Sequence, residues 1–596
     1  MKNNLLASIA LFGIYRNTNQ DTYDLVALYI SAVIAQKEYE RFKTDTIQSD
    51  LKELFQIDIP IGVINSVCKN RIEGLSLSKG VFTCSRIPKD EIEKEYAELT
   101  ANYDDLFTLL IAFVNKETAE YDGQTIKNRF ADFLIDGSIP ETKLNNLFAA
   151  FIAGNQESKD IRQKIDLLSS GLISYNGLSY TDSAGNSGAW TDKLTIYLDT
   201  EFLFSCAGYN DPYLHDVFQE LYELIKEINI SYRRRTKKQD NLVELRYLKD
   251  TRDVYLSLIN SAKGYIDSKG APPDPSKRAL VKIISESATV FDVDTHRARI
   301  DTAIKDIYNI QYDDRDYSNF ITDRRYIIFD ESTVTSLSHD YNPKKDDTTS
   351  RKIDYYARVY TIINGLRGGV RVSIFEKCRY IFLTGSRIGR GASIAARPDT
   401  KSVTLATDID FLVSRFWFKL NKQLTNNHIP VSLDIVARSQ AVLTKEVSRK
   451  VKALYEELKL KNYSELEQKS LYANLTEAEK YLTPNSITST ESILAFIDYK
   501  DVDALIEDQR NLRRKVAEAE KREKELTDAK GKLAQKENEI EGLKKDFAEK
   551  YKSQQQTQSD AYKENTRLTR INKWLIGAIV LLTVIIIVMV LVLILR

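Results

Sequence analysis

The C-terminal end of the chain constrains it most, because this end contains an apolar run long enough to cross a membrane. Residues 574–595 read WLIGAIVLLTVIIIVMVLVLIL and include no charged side chain. A helix of roughly 20 apolar residues spans the hydrocarbon core of a bilayer, and a helix satisfies its own backbone hydrogen bonds there. Trp574 stands at the start of the run, where an aromatic ring suits the membrane interface. The sequence therefore predicts one transmembrane helix within residues 572–596.

Charges on the two sides of this run predict its orientation. Arg567, Arg570 and Lys573 precede the run, whereas Arg596 alone follows it. The more positive flank normally stays on the cytoplasmic side. We therefore expect a single-pass, C-terminally anchored membrane protein whose soluble part is cytoplasmic.

A second apolar segment, residues 5–15, follows Lys2 near the start of the chain. It could be the apolar part of a signal peptide, which would place the chain on the other side of the membrane. The segment is short, has no clear small-residue cleavage site and continues into the polar sequence RNTNQD. We therefore interpret it as the first helix of the folded protein.

Composition excludes some classes of protein. Lysine plus arginine and aspartate plus glutamate both number 85 in the 596 residues, so no global charge attracts nucleic acid and such binding needs local patches. Cys68, Cys84, Cys206 and Cys378 are scattered and form no CxxC pair. This pattern excludes a zinc ribbon and indicates a reducing compartment.

Residues 1–90 are predicted to form a winged-helix-like region. Residues 44–56 and 61–75 read as amphipathic helices, and LSLSKGVFTCS after them reads as a short hairpin. The second helix would be the recognition helix of a nucleic-acid reader, but its exposed charges are few, with Lys69 and Arg71 the cations. We therefore favour a packing or protein-contact module. Residues 91–190 are predicted to be a helical region.

The most informative segment is residues 193–211, KLTIYLDTEFLFSCAGYND. It reads as an apolar buried strand that ends at Asp199. A buried strand that brings a carboxylate to the edge of a sheet is one way in which hydrolases position a metal ligand. An aspartate at a strand end is also often a helix N-cap, so this residue alone does not decide between the two roles.

The pattern "LDT-x-FLF-x-x-x-G" resembles the opening of PIN-like nuclease domains, and the order of the later elements is similar over roughly residues 160–445. The resemblance implies a three-layer α/β domain with a mainly parallel sheet over residues 191–425, interrupted by a charged helical insertion at about 260–320. It also implies Mg²⁺ or Mn²⁺ as the cofactor and phosphodiester hydrolysis, with RNA as the expected substrate.

The same resemblance assigns residues to the site. Asp199 corresponds to the first metal-binding acid. Asp253, in a Thr-x-acid pattern at a helix start, corresponds to the second, with Asp250 and Glu244 as alternatives. Asp354, in the helix RKIDYYARVYTIINGLR, corresponds to the third. Ser386, after the strand CRYIFLTGS, stands where the family often has a fourth acid, so the fourth ligand departs from the family pattern.

A basic run lies between segments that we interpret as the strands INISYRR and NLVELRYL. As the tip of a hairpin beside the acids, the run could hold a phosphate backbone, although a solvated turn of the same composition is equally compatible with the sequence. The predicted nucleic-acid contacts are Arg233, Arg234, Arg235, Lys237 and Lys238.

Two other functions stay open. GSRIGRG followed by TDIDFLV is similar to the GS and DxD elements of polymerase-β-type nucleotidyltransferases, and LDIV could be their third acidic strand. Asp408, Asp410 and Asp434 would then bind the metals, although the 21-residue gap between GS and DxD is longer than in that family. The other alternative is a non-enzymatic, membrane-tethered coiled-coil scaffold.

Residues 426–500 are predicted to form a helical extension and residues 501–571 a charged helical stalk before the anchor. Apolar residues recur every seven positions in the stalk, but the companion seam position is mostly charged, so we expect at most a weak homodimer. The apolar positions are Leu505, Leu512, Ala519, Leu526, Leu533, Ile540 and Phe547.

Overall fold

A five-stranded parallel sheet with helices packed on it dominates the first part of the chain in the computed structural model. The predicted α/β class with a mainly parallel sheet is confirmed. The described chain divides into two compact units, Met1–Lys445 and Glu446–Arg596. The structure describes residues 5–594 apart from 19, 137, 138, 140, 180–189, 191, 269–271, 342–346, 373, 397–401, 421–428, 462, 483–489 and most of 508–560.

The first unit begins with short helices and a small antiparallel sheet. The strands are β1 (Arg41–Phe42), β2 (Leu75–Ser78) and β3 (Val81–Cys84), with β3 in the middle. Lys79 and Gly80 connect β2 to β3 with φ angles of 49° and 79°, the positive values that a two-residue hairpin turn favours. The helices and hairpin predicted for this region are therefore present. The helices are α1 (Leu5–Asn17), α2 (Thr22–Lys37), α3 (Thr44–Phe55) and α4 (Ile61–Asn70).

Arg71, which ends the predicted recognition helix, is already paired. Its guanidinium lies 2.7 Å from the Asp21 carboxylate and 2.5 Å from that of Asp24. A cation held between two carboxylates is a poor phosphate contact, so this geometry favours the packing or protein-contact interpretation.

The helical region that follows contains the helix α1 in its core. Leu6, Ile9, Leu11 and Phe12 of α1 are buried, so residues 5–15 form a helix of the folded protein, as predicted. The later helices of this region are α5 (Glu93–Glu117), α6 (Gly123–Asp136), α7 (Thr142–Gly154) and α8 (Lys159–Ser179).

The parallel sheet has the strand order β6-β5-β4-β7-β8. The chain leaves the central strand β4 toward β5 and β6, then returns to the other side of β4 with β7 and β8. Leu198 of β4 pairs with Leu383 of β7, and Leu383 pairs with Thr407 of β8, so the carboxyl ends of these strands coincide. Ligands of open α/β sheets bind at such a reversal of strand order, outside the carboxyl ends. The strands are β4 (Leu194–Leu198), β5 (Val243–Tyr247), β6 (Gln311–Tyr312), β7 (Tyr380–Leu383) and β8 (Ala406–Thr407).

Helices cover both faces of the sheet, so alternate residues of a strand enter different cores. Ile196 and Leu198 belong to one core, and Tyr197 between them belongs to the other. The first core includes side chains of α10, α11 and α18, and the second includes those of α16 and α17. The helices are α9 (Thr200–Ser205), α10 (Pro212–Thr236), α11 (Lys249–Ser268), α12 (Arg278–Ser285), α13 (Val290–Thr302), α14 (Ser318–Thr322), α15 (Glu331–Tyr341), α16 (Asp347–Leu366), α17 (Arg387–Ala395), α18 (Ile409–Lys419) and α19 (Ile435–Leu460).

One expectation about this unit is wrong, and another is incomplete. INISYRR is not a strand but the last part of α10, where Leu221, Leu224, Ile225 and Ile228 are buried at helical spacing. The segment predicted as a helical insertion at 260–320 also supplies β6, which extends the sheet beyond β5. A two-residue strand is too short for periodicity to reveal it.

Two glycines in the first unit lie where helices α1 and α8 approach each other closely. A Cβ on Gly171 of α8 would collide with the carbonyl group of Ile9, and one on Gly13 of α1 would collide with that of Leu167. We predict that Gly171→Ala lowers the free energy of unfolding by about 2–3 kcal/mol, because the helices must separate. Gly264→Ala is the control: in the described part of the chain, a Cβ added to Gly264 of α11 would meet no atom within 4 Å outside its own helix backbone, so alanine should stabilise the helix by about 0.5–1 kcal/mol. Thermal and chemical denaturation of the full-length variants measure both effects, and equal stability of the two variants would contradict the packing argument.

The second unit is helical in its described part. Its helices after α19 are α20 (Glu465–Tyr481), α21 (Thr490–Ile497) and α22 (Ala561–Ile594). Among the described residues, none of the helices combines the length and the apolar character needed to cross a membrane. The predicted anchor at 574–595 lies partly outside these residues, since the side chains of 584 and 586–594 are not described. Of the predicted stalk seam, Leu505 is buried and the other six positions lie outside the described residues.

Candidate functional site

Asp199 lies at the carboxyl end of the central strand β4 and is almost completely buried. The strand is apolar, and Asp199 ends it by capping α9: its Oδ1 accepts a hydrogen bond of 2.8 Å from the Thr200 backbone N–H. The sequence thus places a carboxylate at the reversal of strand order, as predicted. The N-cap role, which the sequence left open, is also present.

Three hydroxyl groups complete the surroundings of Asp199. Its Oδ2 accepts hydrogen bonds from Tyr356 at 2.9 Å and from Thr384 at 2.7 Å, and its Oδ1 accepts one from Tyr355 at 3.2 Å. Burial, followed by the charge of Asp199, raises the pKa of both tyrosines well above the ordinary value, so they act as donors at neutral pH. Thr384 directly follows β7, and Tyr355 and Tyr356 lie on α16, so two separate segments converge on this carboxylate.

Glu201 forms an acid pair with Asp199 and is not among the residues predicted from sequence. Its Oε1 accepts a hydrogen bond from the backbone N–H of Gly385, just after β7. A Cβ on Gly385 would lie 2.8 Å from the same oxygen, so a larger residue there would push the Glu201 carboxylate away. Burial and then the nearby Asp199 raise the pKa of Glu201 to about 7. The Asp-x-Glu pattern after an apolar strand is the sequence signal that could have revealed the pair.

A second acid pair follows β8. Asp408 caps α18 by accepting a 2.8 Å hydrogen bond from Phe411 N–H, and Asp410 accepts one of 3.2 Å from the Tyr213 hydroxyl. Burial and then the charge of Asp408 raise the pKa of Asp410 to about 6. The strands that end at the two acid pairs, β4 and β8, flank β7, so both pairs lie along one edge of the sheet.

Arg390 of α17 connects the two acid pairs electrostatically. Its Nη1 lies 3.2 Å from the Asp408 carboxylate, and its positive charge lowers the pKa of both Glu201 and Asp410. Its Nε is buried and has no hydrogen-bond partner among the described residues. Lys445 also lowers the pKa of Glu201, and Arg438 lowers that of Asp410. The site therefore combines four carboxylates with cations that offset part of their repulsion.

Two of the predicted metal ligands lie elsewhere. Asp253 and Asp354 are exposed, and among the described residues no three His, Cys, Asp or Glu side chains are grouped to hold a metal ion. The predicted set of Asp199, Asp253 and Asp354 is therefore not assembled. The helices of these two residues, α11 and α16, reach the site through other side chains. The Thr251 hydroxyl of α11 donates to Leu198 O at 3.3 Å and lies 3.1 Å from the Tyr355 hydroxyl of α16.

The alternatives for the second acid also have other partners. Asp250 pairs with Arg358 at 2.5 Å, and Glu244 pairs with Arg246 at 3.1 Å. Ser386 does lie beside the site, two residues after Thr384, where its Oγ caps α17 by accepting from Gly389 N–H at 3.3 Å.

The predicted nucleic-acid contacts at 233–238 lie near the amino ends of the strands, whereas the acid pairs lie at the carboxyl ends. Arg233, Arg234 and Arg235 form the last turn of α10, and Lys237 ends it in the left-handed conformation with φ of 56°. Arg233 donates to Asn241 and Arg235 to the Trp190 carbonyl, both just before strands β5 and β4. The other end of α10 meets Asp410 through Tyr213. The 25 residues of the helix separate its two ends by about 37 Å. Lys238 follows the helix at the same end, so the predicted placement of all five residues beside the acids is wrong.

The structure also bears on the nucleotidyltransferase pattern. Residues Val431–Leu433 form a 3₁₀ turn rather than a strand, so LDIV is not a third acidic strand. The Asp434 carboxylate accepts hydrogen bonds from the N–H groups of Val436 and Ala437 at 2.8 and 3.2 Å. Asp434 caps the start of α19, as Asp408 caps that of α18, and Asp408 and Asp410 form a pair as that pattern requires.

Comparisons of the chain with protein-family models, with curated proteins and with solved structures give no match.

The raised pKa of Glu201 predicts how its replacement changes stability with pH. A carboxyl group with a folded-state pKa of about 7 binds its proton more tightly than the unfolded chain does, where the ordinary value is 4.5. The folded protein therefore loses stability as the pH rises from about 4.5 to about 7. In chelator, Glu201→Gln should raise the melting temperature at pH 8 and leave it nearly unchanged at pH 4.5. A stabilisation that is equal at both pH values would contradict this assignment.

Proposed function

We propose that the protein is a divalent-cation-dependent nuclease whose active site is the carboxyl edge of the parallel sheet. The observation that supports this most strongly is the arrangement of Asp199 with Glu201 after β4 and of Asp408 with Asp410 after β8. These are acid pairs on both sides of the strand end that carries Thr384, Gly385 and Ser386. The resemblance of the LDT segment to PIN-like nucleases points to the same chemistry, and RNA as the substrate rests on that resemblance.

Two carboxylates can be enough for a hard divalent cation, which proteins often hold with one or two carboxylates, water and substrate phosphates. Mg²⁺ and Mn²⁺ prefer carboxylate oxygens. Burial is the main cause of the raised pKa of Glu201 and Asp410, and repulsion from Asp199 and Asp408 is the second cause; a bound cation relieves that repulsion. Asp199 and Glu201 would hold the cation, with Asp408 and Asp410 at the far side of the site. When bound, the cation supplies Lewis-acid polarisation of a phosphodiester and an acidic bound water. Asp253 and Asp354 are not needed in this arrangement.

The side chains around the acids suit a substrate with a negatively charged phosphate. Arg390 is positively charged, and about two fifths of its side chain is exposed beside the carboxylates. A guanidinium has five donors, of which Asp408 engages one, so the group can also contact a phosphate oxygen. Tyr356 and Thr384 fix the orientation of the Asp199 carboxylate by donating to its Oδ2.

The membrane anchor is part of this proposal on the strength of the sequence. Helix α22 contains the exposed apolar side chains Trp574, Leu575 and Ile576, and the cations Arg570 and Lys573 precede them. The nuclease domain would then act on RNA at the cytoplasmic face of a membrane.

Incubation of the full-length protein in detergent with end-labelled RNA tests this function. We expect shortened RNA with Mn²⁺ or Mg²⁺ and none with chelator. Extension of the RNA that requires a nucleoside triphosphate would favour the nucleotidyltransferase alternative. Unchanged RNA under every metal condition would favour the scaffold.

A further inference from the structure

The hydrogen bonds of Asp199 occupy the whole of its carboxylate. An ionised carboxylate offers about four lone-pair sites, two on each oxygen. Oδ1 accepts from Thr200 N–H and the Tyr355 hydroxyl, and Oδ2 accepts from the Tyr356 and Thr384 hydroxyls. A metal ligand needs at least one lone pair directed at the cation, and in this arrangement none is left.

The four donors differ in how firmly they are fixed. Thr200 N–H belongs to the backbone of α9, which Asp199 itself caps. The Thr384 hydroxyl oxygen accepts from Ser386 N–H at 3.1 Å, so its hydrogen is directed to Asp199. The two tyrosines, by contrast, come from α16, which lies about 150 residues further along the chain and joins the second core. These two donors are the ones that a shift of a single helix can withdraw.

We propose that Tyr355 and Tyr356 compete with the divalent cation for the Asp199 carboxylate, so that cation binding requires this part of α16 to move away. The inference rests on the proposed function, because it concerns the same metal site. Hydroxyl donors beside a metal ligand could instead orient the carboxylate and strengthen binding. Removal of a donor therefore changes the metal affinity in opposite directions in the two roles. The affinity rises if the donor competes with the cation and falls if the donor orients the carboxylate.

Isothermal titration of Mn²⁺ into the full-length protein separates these roles. Tyr356→Phe removes the 2.9 Å hydrogen bond and keeps the buried ring. A hydrogen bond to a charged group is worth roughly 1.5–3 kcal/mol, so Mn²⁺ should bind about 10-fold or more tightly to the variant. Tyr355→Phe should act in the same direction and more weakly, because its hydroxyl lies 3.2 Å from Asp199 and is shared with Thr251. Having two independent variants keeps the test available if one of them folds poorly.

Tyr360→Phe is the matched control. It lies on the same helix and is buried, and its hydroxyl donates at 2.7 Å to the Gly389 carbonyl instead of to Asp199. We expect wild-type Mn²⁺ affinity in this variant. Unchanged or weaker binding in both Tyr355→Phe and Tyr356→Phe, while Asp199→Asn abolishes binding in the wild-type background, would overturn the competition and leave the proposed function standing. Absence of any Mn²⁺ binding that depends on Asp199, in all variants, would overturn the proposed function as well.

Discussion

Replacement of Asp199 by asparagine should reduce metal-dependent RNA cleavage by more than about 100-fold, which exceeds the usual cost of losing only a partner of a metal ligand. The amide has the same shape as the carboxylate but no negative charge. The hydroxyls of Tyr356 and Thr384 can rotate to accept from the new amide N–H₂, so the fold should survive. Loss of repulsion with Glu201 should keep the metal-free variant as stable as wild type or make it more stable. Rates of cleavage and melting temperatures in chelator measure the two effects.

The same assay on Asp354→Asn and Asp253→Asn supplies the control. Both positions resemble the family's metal ligands in sequence, yet both side chains are exposed in the structure. These variants should cleave RNA at close to the wild-type rate, and Glu201→Gln should be as impaired as Asp199→Asn. Inactivation by Asp354→Asn together with activity in Glu201→Gln would return the site to the arrangement that the sequence predicted.

The second prediction with a large expected effect concerns Asn229, whose side chain hydrogen-bonds to the backbone at the start of β5. Its side chain is buried, accepts from Leu242 N–H and Val243 N–H and donates to Val243 O, each at 2.9 Å. Strand β6 pairs only with Arg246 and Tyr247, so this amide replaces the missing part of the neighbouring strand. Asn229→Leu leaves three buried backbone groups unpaired and should destabilise the first unit by about 3 kcal/mol or more.

Hydrogen exchange gives a local measure of this effect beside chemical denaturation. The amides of Leu242 and Val243 should exchange faster in the variant, because they lose their acceptor. Asn364→Leu is a suitable control, since that side chain donates one bond of 2.9 Å to Tyr326 O and should cost about 1 kcal/mol. Equal stability of the two leucine variants would show that Asn229 does not support the strand.

Much of the parallel sheet could be predicted from sequence, because β4 and β7 are largely apolar runs and β5 alternates apolar and charged residues. Strands β4, β5 and β7 lie within the predicted segments KLTIYL, NLVELRYL and CRYIFLTGS. The strand prediction for INISYRR was wrong because its apolar residues continue the helical spacing of the earlier part of α10. Such a short window contains too few residues to distinguish a period of 3.6 from a period of two.

The site was only partly predictable, because helix phase decides which residue enters it. On α16, Ile353, Tyr356, Val359 and Tyr360 are buried, so Asp354 faces solvent while the next two residues, Tyr355 and Tyr356, reach Asp199. A resemblance based on the order of the elements does not determine the rotation of α16 about its own axis. Glu201 was missed because it lies in the first turn of the short helix α9, only two residues after Asp199, and the resemblance assigns one acid to each segment. Asp408 and Asp410 had been assigned to the competing nucleotidyltransferase pattern, and the sheet topology places them at the same edge as Asp199.

Anomalous diffraction from crystals of the full-length protein soaked with Mn²⁺ tests the central claim most directly, because it locates the cation without reference to activity. We predict a peak within coordination distance of Asp199 and Glu201, on the side of the sheet edge that faces Asp408 and Asp410. The Tyr355 and Tyr356 hydroxyls should be displaced from the Asp199 carboxylate. A peak beside Asp253 or Asp354, or Mn²⁺ bound elsewhere while the Asp199 and Glu201 pair stays empty, would contradict it.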